Sequence, residues 1–170
     1  MAESGALWGM VDFKEDSRLP MVKALKRTVF VGTFRHSVDE KKRLAIPAKW
    51  RAAAKGAQEF IVLPLPNAHL LVLPESAMDR MLERVDEISI GEYERRNVLR
   101  IITGGAHGTP CDAQGRIILT EELMKHAGIE GEAVMVGVLK GFEIWSPARL
   151  EEAKKNATAN FAESAKQLGL

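Results

Sequence analysis

Cysteine occurs once, at Cys111, so no disulfide can form within the chain. A lone thiol fits a reducing compartment, and a cytoplasmic protein is expected. No apolar run approaches the roughly 18 residues that cross a bilayer. The first residues lack a basic stretch followed by a long apolar core, so no secretory signal and no membrane partner are expected. The four histidines, His36, His69, His107 and His126, are scattered without ligand spacing, which argues against a metal. The glycine-rich loops of dinucleotide and nucleotide-phosphate sites are missing, so neither a cofactor nor a small-molecule substrate is expected.

Present instead is an ordinary globular composition, 46% hydrophobic and 28% charged over 170 residues, with an uneven distribution of charge. Between Met21 and Lys55, ten lysines and arginines stand against only Asp39 and Glu40, a local net of +8 in a chain whose total is +1. The remainder is therefore acidic. Such asymmetry suits a polyanion-binding surface, although a solvated helix face would account for the count equally well.

The chain also repeats itself, at the constant offset that carries Asp39 onto Asp112 and Arg43 onto Arg116. Asp39-Glu40-Lys41-Lys42-Arg43 precedes Leu44-Ala45-Ile46, as Asp112-Ala113-Gln114-Gly115-Arg116 precedes Ile117-Ile118-Leu119. The same register lays Phe60–Leu63 on Ala133–Val136 and Pro74 on Pro147. Identities are few, but a constant register with matched strands and prolines indicates a duplicated module.

Each copy reads as an extended segment, a polar Asp-x-x-x-Arg turn, a short strand, a helix, two further strands and a proline-initiated helix. Thr120 is a good helix N-cap, and Gly56 and Gly128 suit helix ends. The expected organisation is an extension over 1–28, thought mobile, and a first module over 29–85. A connecting helix over 86–104, a second module over 105–152 and a helical tail over 153–170 follow. The fold class is mainly β with short helices (α+β). In the connecting segment Tyr93, Val98, Leu99, Ile101 and Ile102 give an amphipathic pattern that Gly104-Gly105 ends.

A polar turn that feeds a strand can hold basic side chains close to a DNA backbone or groove. Its aspartate can accept turn amides or orient the arginine. Arginine matches both phosphate and the acceptor edge of guanine. A tight turn with an internal Asp–Arg ion pair is the purely structural reading of the same residues.

From Phe30 to about Glu152 the chain resembles the MraZ family, whose modules belong to the AbrB-like swapped-hairpin group. The likeness rests on Phe30-Val31-Gly32, on Asp39 to Pro47, on Glu94-Arg95-Arg96 and on Asp112 to Arg116. It implies two tandem modules forming a pseudo-twofold, swapped-hairpin, double-psi-type barrel. It further implies a nucleoid-associated bacterial regulator, typically a repressor, bound to repeated promoter elements upstream of its own division and cell-wall gene cluster. A ring-like homo-oligomer presenting basic turns to double-stranded DNA is implied as well. The expected DNA-contacting residues are Lys41, Lys42, Arg43, Arg116 and Arg35, with Asp39 and Asp112 orienting the turns.

Two departures from the family's Asp-x-Lys-Gly-Arg pattern stand out. Lys42 replaces the usual glycine, which adds charge and strains the turn if positive φ is required there. Gln114 replaces the second lysine, so the first copy is expected to dominate DNA contact. Catalysis by Cys111 with His107 as base is the enzymatic alternative, but neighbours in sequence do not make an attack geometry. An antitoxin-like or scaffolding oligomer, whose main partner is another protein, is the closer rival. Related antitoxins usually carry one module and dimerise, so the tandem duplication separates the two.

Overall fold

The computed structural model describes residues 29–53, 59–86, 91–158, 161–167 and 169. The N-terminal extension and the expected cap at Gly56 lie outside them. Among the described residues, eight strands and six helices follow one another in two equivalent runs. The first contains β1 (Thr33–Ser37), β2 (Arg43–Ala45), α1 (Ala48–Ala53), β3 (Glu59–Leu65), β4 (His69–Pro74) and α2 (Glu75–Asp86). After α3 (Tyr93–Gly104) the second contains β5 (His107–Pro110), β6 (Arg116–Ile118), α4 (Glu121–Ala127), β7 (Glu132–Gly137), β8 (Phe142–Trp145) and α5 (Pro147–Thr158). Helix α6 (Phe161–Gln167) closes the order. The offset that carries Asp39 onto Asp112 also carries the first residues of β2 and β3 onto those of β6 and β7.

All pairings are antiparallel, and the modules interleave. The larger sheet has the order β1-β7-β8-β4-β3-β5, with a separate ribbon of β2 and β6. Exchanging the modules reverses this order into itself, so a pseudo-twofold axis runs between β8 and β4. The first strand of each module pairs with the third strand of the other, β1 with β7 and β5 with β3. Among the described residues the sheet keeps two edges, β1 and β5, and no closed barrel forms.

The interleaving follows from burial. The central strand β4 reads His-Leu-Leu-Val-Leu-Pro and is buried at five of six positions, as a strand covered on both faces requires. Pro64 lies beyond the stretch Glu59–Val62 that β5 covers, so its missing N–H disturbs pairing on one side at most. Trp50 of α1 is fully buried. Its ring lies 4.9 Å from Phe34 and 5.0 Å from Phe142, and its Nε1 donates to Val31 O at 2.9 Å. One aromatic cluster thereby ties α1, β1 and β8 together across the modules. Helix α4 starts with the Thr120 hydroxyl accepting from the Leu123 amide, and ends at Gly128 with φ 64°.

Candidate nucleic-acid interface

The two Asp-x-x-x-Arg turns fold alike. In the first, Asp39 Oδ1 accepts the amides of Lys41 and Arg43, both at 2.9 Å, and Asp39 Oδ2 accepts Arg43 Nε at 2.6 Å. In the second, Asp112 Oδ1 accepts the amides of Gln114 at 3.0 Å and Arg116 at 2.9 Å, and Asp112 Oδ2 accepts Arg116 Nε at 2.8 Å. One carboxylate thus caps two backbone donors and fixes the guanidinium plane. The Arg43 amide and side chain hold Asp39 below the usual aspartate pKa, and the Arg116 amide and side chain do the same for Asp112.

The fourth turn residue is left-handed in both, with φ 59° at Lys42 and 77° at Gly115. At Gly115 the space is closed as well, because an added Cβ would overlap the Arg51 side chain from α1. Each turn is also locked by the opposite module. Ile46 N donates to Gly115 O and Leu119 N to Lys42 O, both at 2.9 Å.

These cross-bonds set the register of the ribbon, in which Arg43 stands opposite Ile118, Leu44 opposite Ile117 and Ala45 opposite Arg116. Leu44 and Ile117 are fully buried, so their rung points inward. By the two-residue alternation of a strand, Arg43, Arg116, Ala45 and Ile118 share the outer face. Arg43 and Arg116 are diagonal neighbours there, with a Cα spacing on the order of 7–8 Å.

The remaining expected contacts are placed differently. Lys41 is exposed beside Arg43, and no partner for its ammonium occurs among the described residues. Lys42 reaches Glu121 at the start of α4, Nζ to Oε2 3.0 Å, an exposed pair worth little in stability. Arg35 does not join the turns. Its neighbour Phe34 packs on the main core, so Arg35 points off the opposite face of the sheet, 3.6 Å from Glu132.

Three contributors escaped the reading of the sequence. Arg51 donates to Gln114 O at 3.2 Å and braces the second turn from the first module. Glu121 engages Lys42, and Ile118 occupies the outer face beside both arginines. A repeat register reveals equivalent positions but not contacts between copies, so only the excess of charge around Arg51 hinted at any of them.

Among the described residues no cluster of three metal-ligating side chains forms, and no helix is long and apolar enough to cross a membrane. Two interleaved copies of a small β-rich module, each contributing a half-buried, clamped arginine to a shared ribbon, define a tandem-module protein. A family profile described as "MraZ protein, putative antitoxin-like" matches twice, over residues 29–101 and 102–169. The chain belongs to the MraZ family. It is 33% identical over 140 residues to a protein of Oenococcus oeni named transcriptional regulator MraZ, covering 82% of this chain and 96% of the relative. A protein of the same name from Thermomicrobium roseum is 39% identical over 119 residues, covering 70% and 82%. A third, from Herpetosiphon aurantiacus, is 38% identical over 122 residues, covering 71% and 83%. These relatives carry a regulator's name rather than an enzyme's, in keeping with the non-enzymatic reading of Cys111 and His107.

Proposed function

We propose that this chain is a sequence-specific, DNA-binding transcriptional regulator whose contact surface is the outer face of the β2–β6 ribbon. The carrying observation is the pair of arginines, Arg43 and Arg116, each oriented by its own aspartate and brought onto one face from separate modules. A major groove admits a two-stranded ribbon, and arginine matches both of its chief acceptors, phosphate and guanine. Lys41 extends the surface along the backbone, and Lys42 joins it on release from Glu121. Asp39 and Asp112 orient the turns. Arg35 stands apart and contributes at most to the surrounding field. The finer reading is repression of the chain's own operon, a division and cell-wall cluster, through repeated promoter elements in the nucleoid. The regulator names of its relatives support the general role.

The same proposal takes the active species to be a homo-oligomer, ring-like in outline. Helix α3 supports this: none of its residues is buried, and Tyr93, Val98 and Ile101 are 70%, 53% and 73% exposed. An apolar stripe of this kind on a bridging helix marks an interaction surface. The antitoxin-like alternative would place a different protein on it.

Titration of the full chain with the duplex from upstream of its own gene, across a salt series, tests the function. Binding that weakens steeply with salt, and that exceeds binding to a scrambled duplex, supports it. Oligomerisation without salt-sensitive DNA binding would favour the scaffolding alternative.

A further inference from the structure

Module symmetry relates the four outer-face side chains of the ribbon in pairs, and one pair is mismatched. Arg43 corresponds to Arg116, but Ala45 corresponds to Ile118. Ile118 is 48% exposed, whereas its neighbours Ile117 and Leu119 are fully buried. A single exposed isoleucine is ordinary on a protein surface. Its position is what makes it informative.

Ile118 stands directly opposite Arg43 and two residues along the same strand from Arg116, so it neighbours both arginines. The 46–115 and 42–119 rungs carry the cross-bonds, and alternation makes the 43–118 rung one of the closely spaced, non-bonded ones. The outward-facing amide of Ile118 is held too, donating to the buried Thr109 hydroxyl of β5 at 3.1 Å. The side chain is therefore set on a fixed backbone beside both clamped arginines.

An arginine fork addresses phosphate oxygens or the guanine edge, whereas an aliphatic group suits one feature of the major groove, the 5-methyl of thymine. We propose that Ile118 is a specificity-determining residue that packs on the methyl of a thymine beside the site occupied by Arg43. Ala45 in the equivalent place presents a single methyl, so the larger apolar contact lies on one side of the ribbon only. It therefore gives a pseudo-twofold surface a direction along the duplex. This inference rests on the DNA-binding reading above.

The probe is the upstream duplex with thymines replaced one at a time by uracil, which removes the methyl and leaves base pairing unchanged. The wild-type chain should lose affinity about fourfold at one such position, the value of one buried methyl. Ile118→Ala should bind the unmodified duplex about fourfold more weakly and be indifferent to uracil there. Ile118→Val, which keeps two methyls and the strand preference, should retain the uracil penalty. A wild-type chain indifferent to every uracil, or an Ile118→Ala variant with an unchanged penalty, overturns the assignment while leaving DNA binding intact. A wild-type chain that binds no duplex overturns both readings.

Discussion

Lys42 and Gly115 hold the same place in the two equivalent turns and share a left-handed backbone, at φ 59° and 77°. Only glycine enters that region without steric cost, which for other residues is roughly 1–2 kcal/mol. Lys42 bears that strain and gains only an exposed pair with Glu121 in return. Lys42→Gly should therefore leave stability unchanged or raise it by up to about 1 kcal/mol, set against glycine's greater entropy loss. Gly115→Ala faces both the torsion and the Arg51 side chain, and should lower stability by roughly 1–3 kcal/mol. Chemical denaturation of the two variants checks the contrast.

Both clamping aspartates have their pKa lowered by the turn, chiefly by the arginine amide each accepts. A carboxylate whose folded pKa lies below its unfolded value adds stability above the unfolded value of about 3.9, and loses it as pH falls through the folded one. Stability measured by urea midpoint should drop as acid protonates Asp39 and Asp112. In the double variant Asp39→Asn, Asp112→Asn that part of the pH dependence should vanish. An unchanged acid limb would mean that the clamps contribute no linkage.

Burial, followed by the charge of Asp112, pushes the Cys111 thiol above its ordinary pKa. Little thiolate is then present at neutral pH. Alkylation should run more slowly than for a free thiol in the same buffer, and should leave DNA affinity unaltered once complete. Rapid alkylation with loss of binding would contradict both statements.

Ile101→Glu, on the exposed stripe of α3, should shift the chain to smaller species in sedimentation while its melting temperature stays within a few degrees. Unchanged assembly would remove α3 from the proposed interface.

The duplication, the order of elements and the paired turns were all legible in the sequence. Matched pentads and prolines at a constant offset mark equivalent positions, and the structure places β2 and β6 at those positions. The caps at Thr120 and Gly128 were legible because they depend on local chemistry alone. The exchange of strands between modules was implied only by the family resemblance and not by the residues, since Trp50 meeting Phe142, or Arg51 meeting Gly115, is a contact between segments far apart in the chain. The same limit hid the separation of Arg35 from the two turns. Its charge is visible in the sequence, but its face is fixed by Phe34 turning into the core. The amphipathic pattern of α3 was read correctly as helical, yet Tyr93, Val98 and Ile101 are exposed while only Leu99 and Ile102 of that set are half-buried. Pattern supplies the period of an element but not the partner that covers it.

The central claim is that Arg43 and Arg116 act on DNA from one face, with the first module dominant. It is tested most directly by the salt dependence of binding to the upstream duplex for wild type, Arg43→Ala, Arg116→Ala and the double variant. Every phosphate interaction that a substitution removes should lower the log–log salt slope by about 1. The account predicts that Arg43→Ala abolishes or severely reduces specific binding with assembly intact, and that Arg116→Ala costs less. If Arg43→Ala binds with wild-type affinity and slope, the turns are structural and the ribbon face is not the DNA contact.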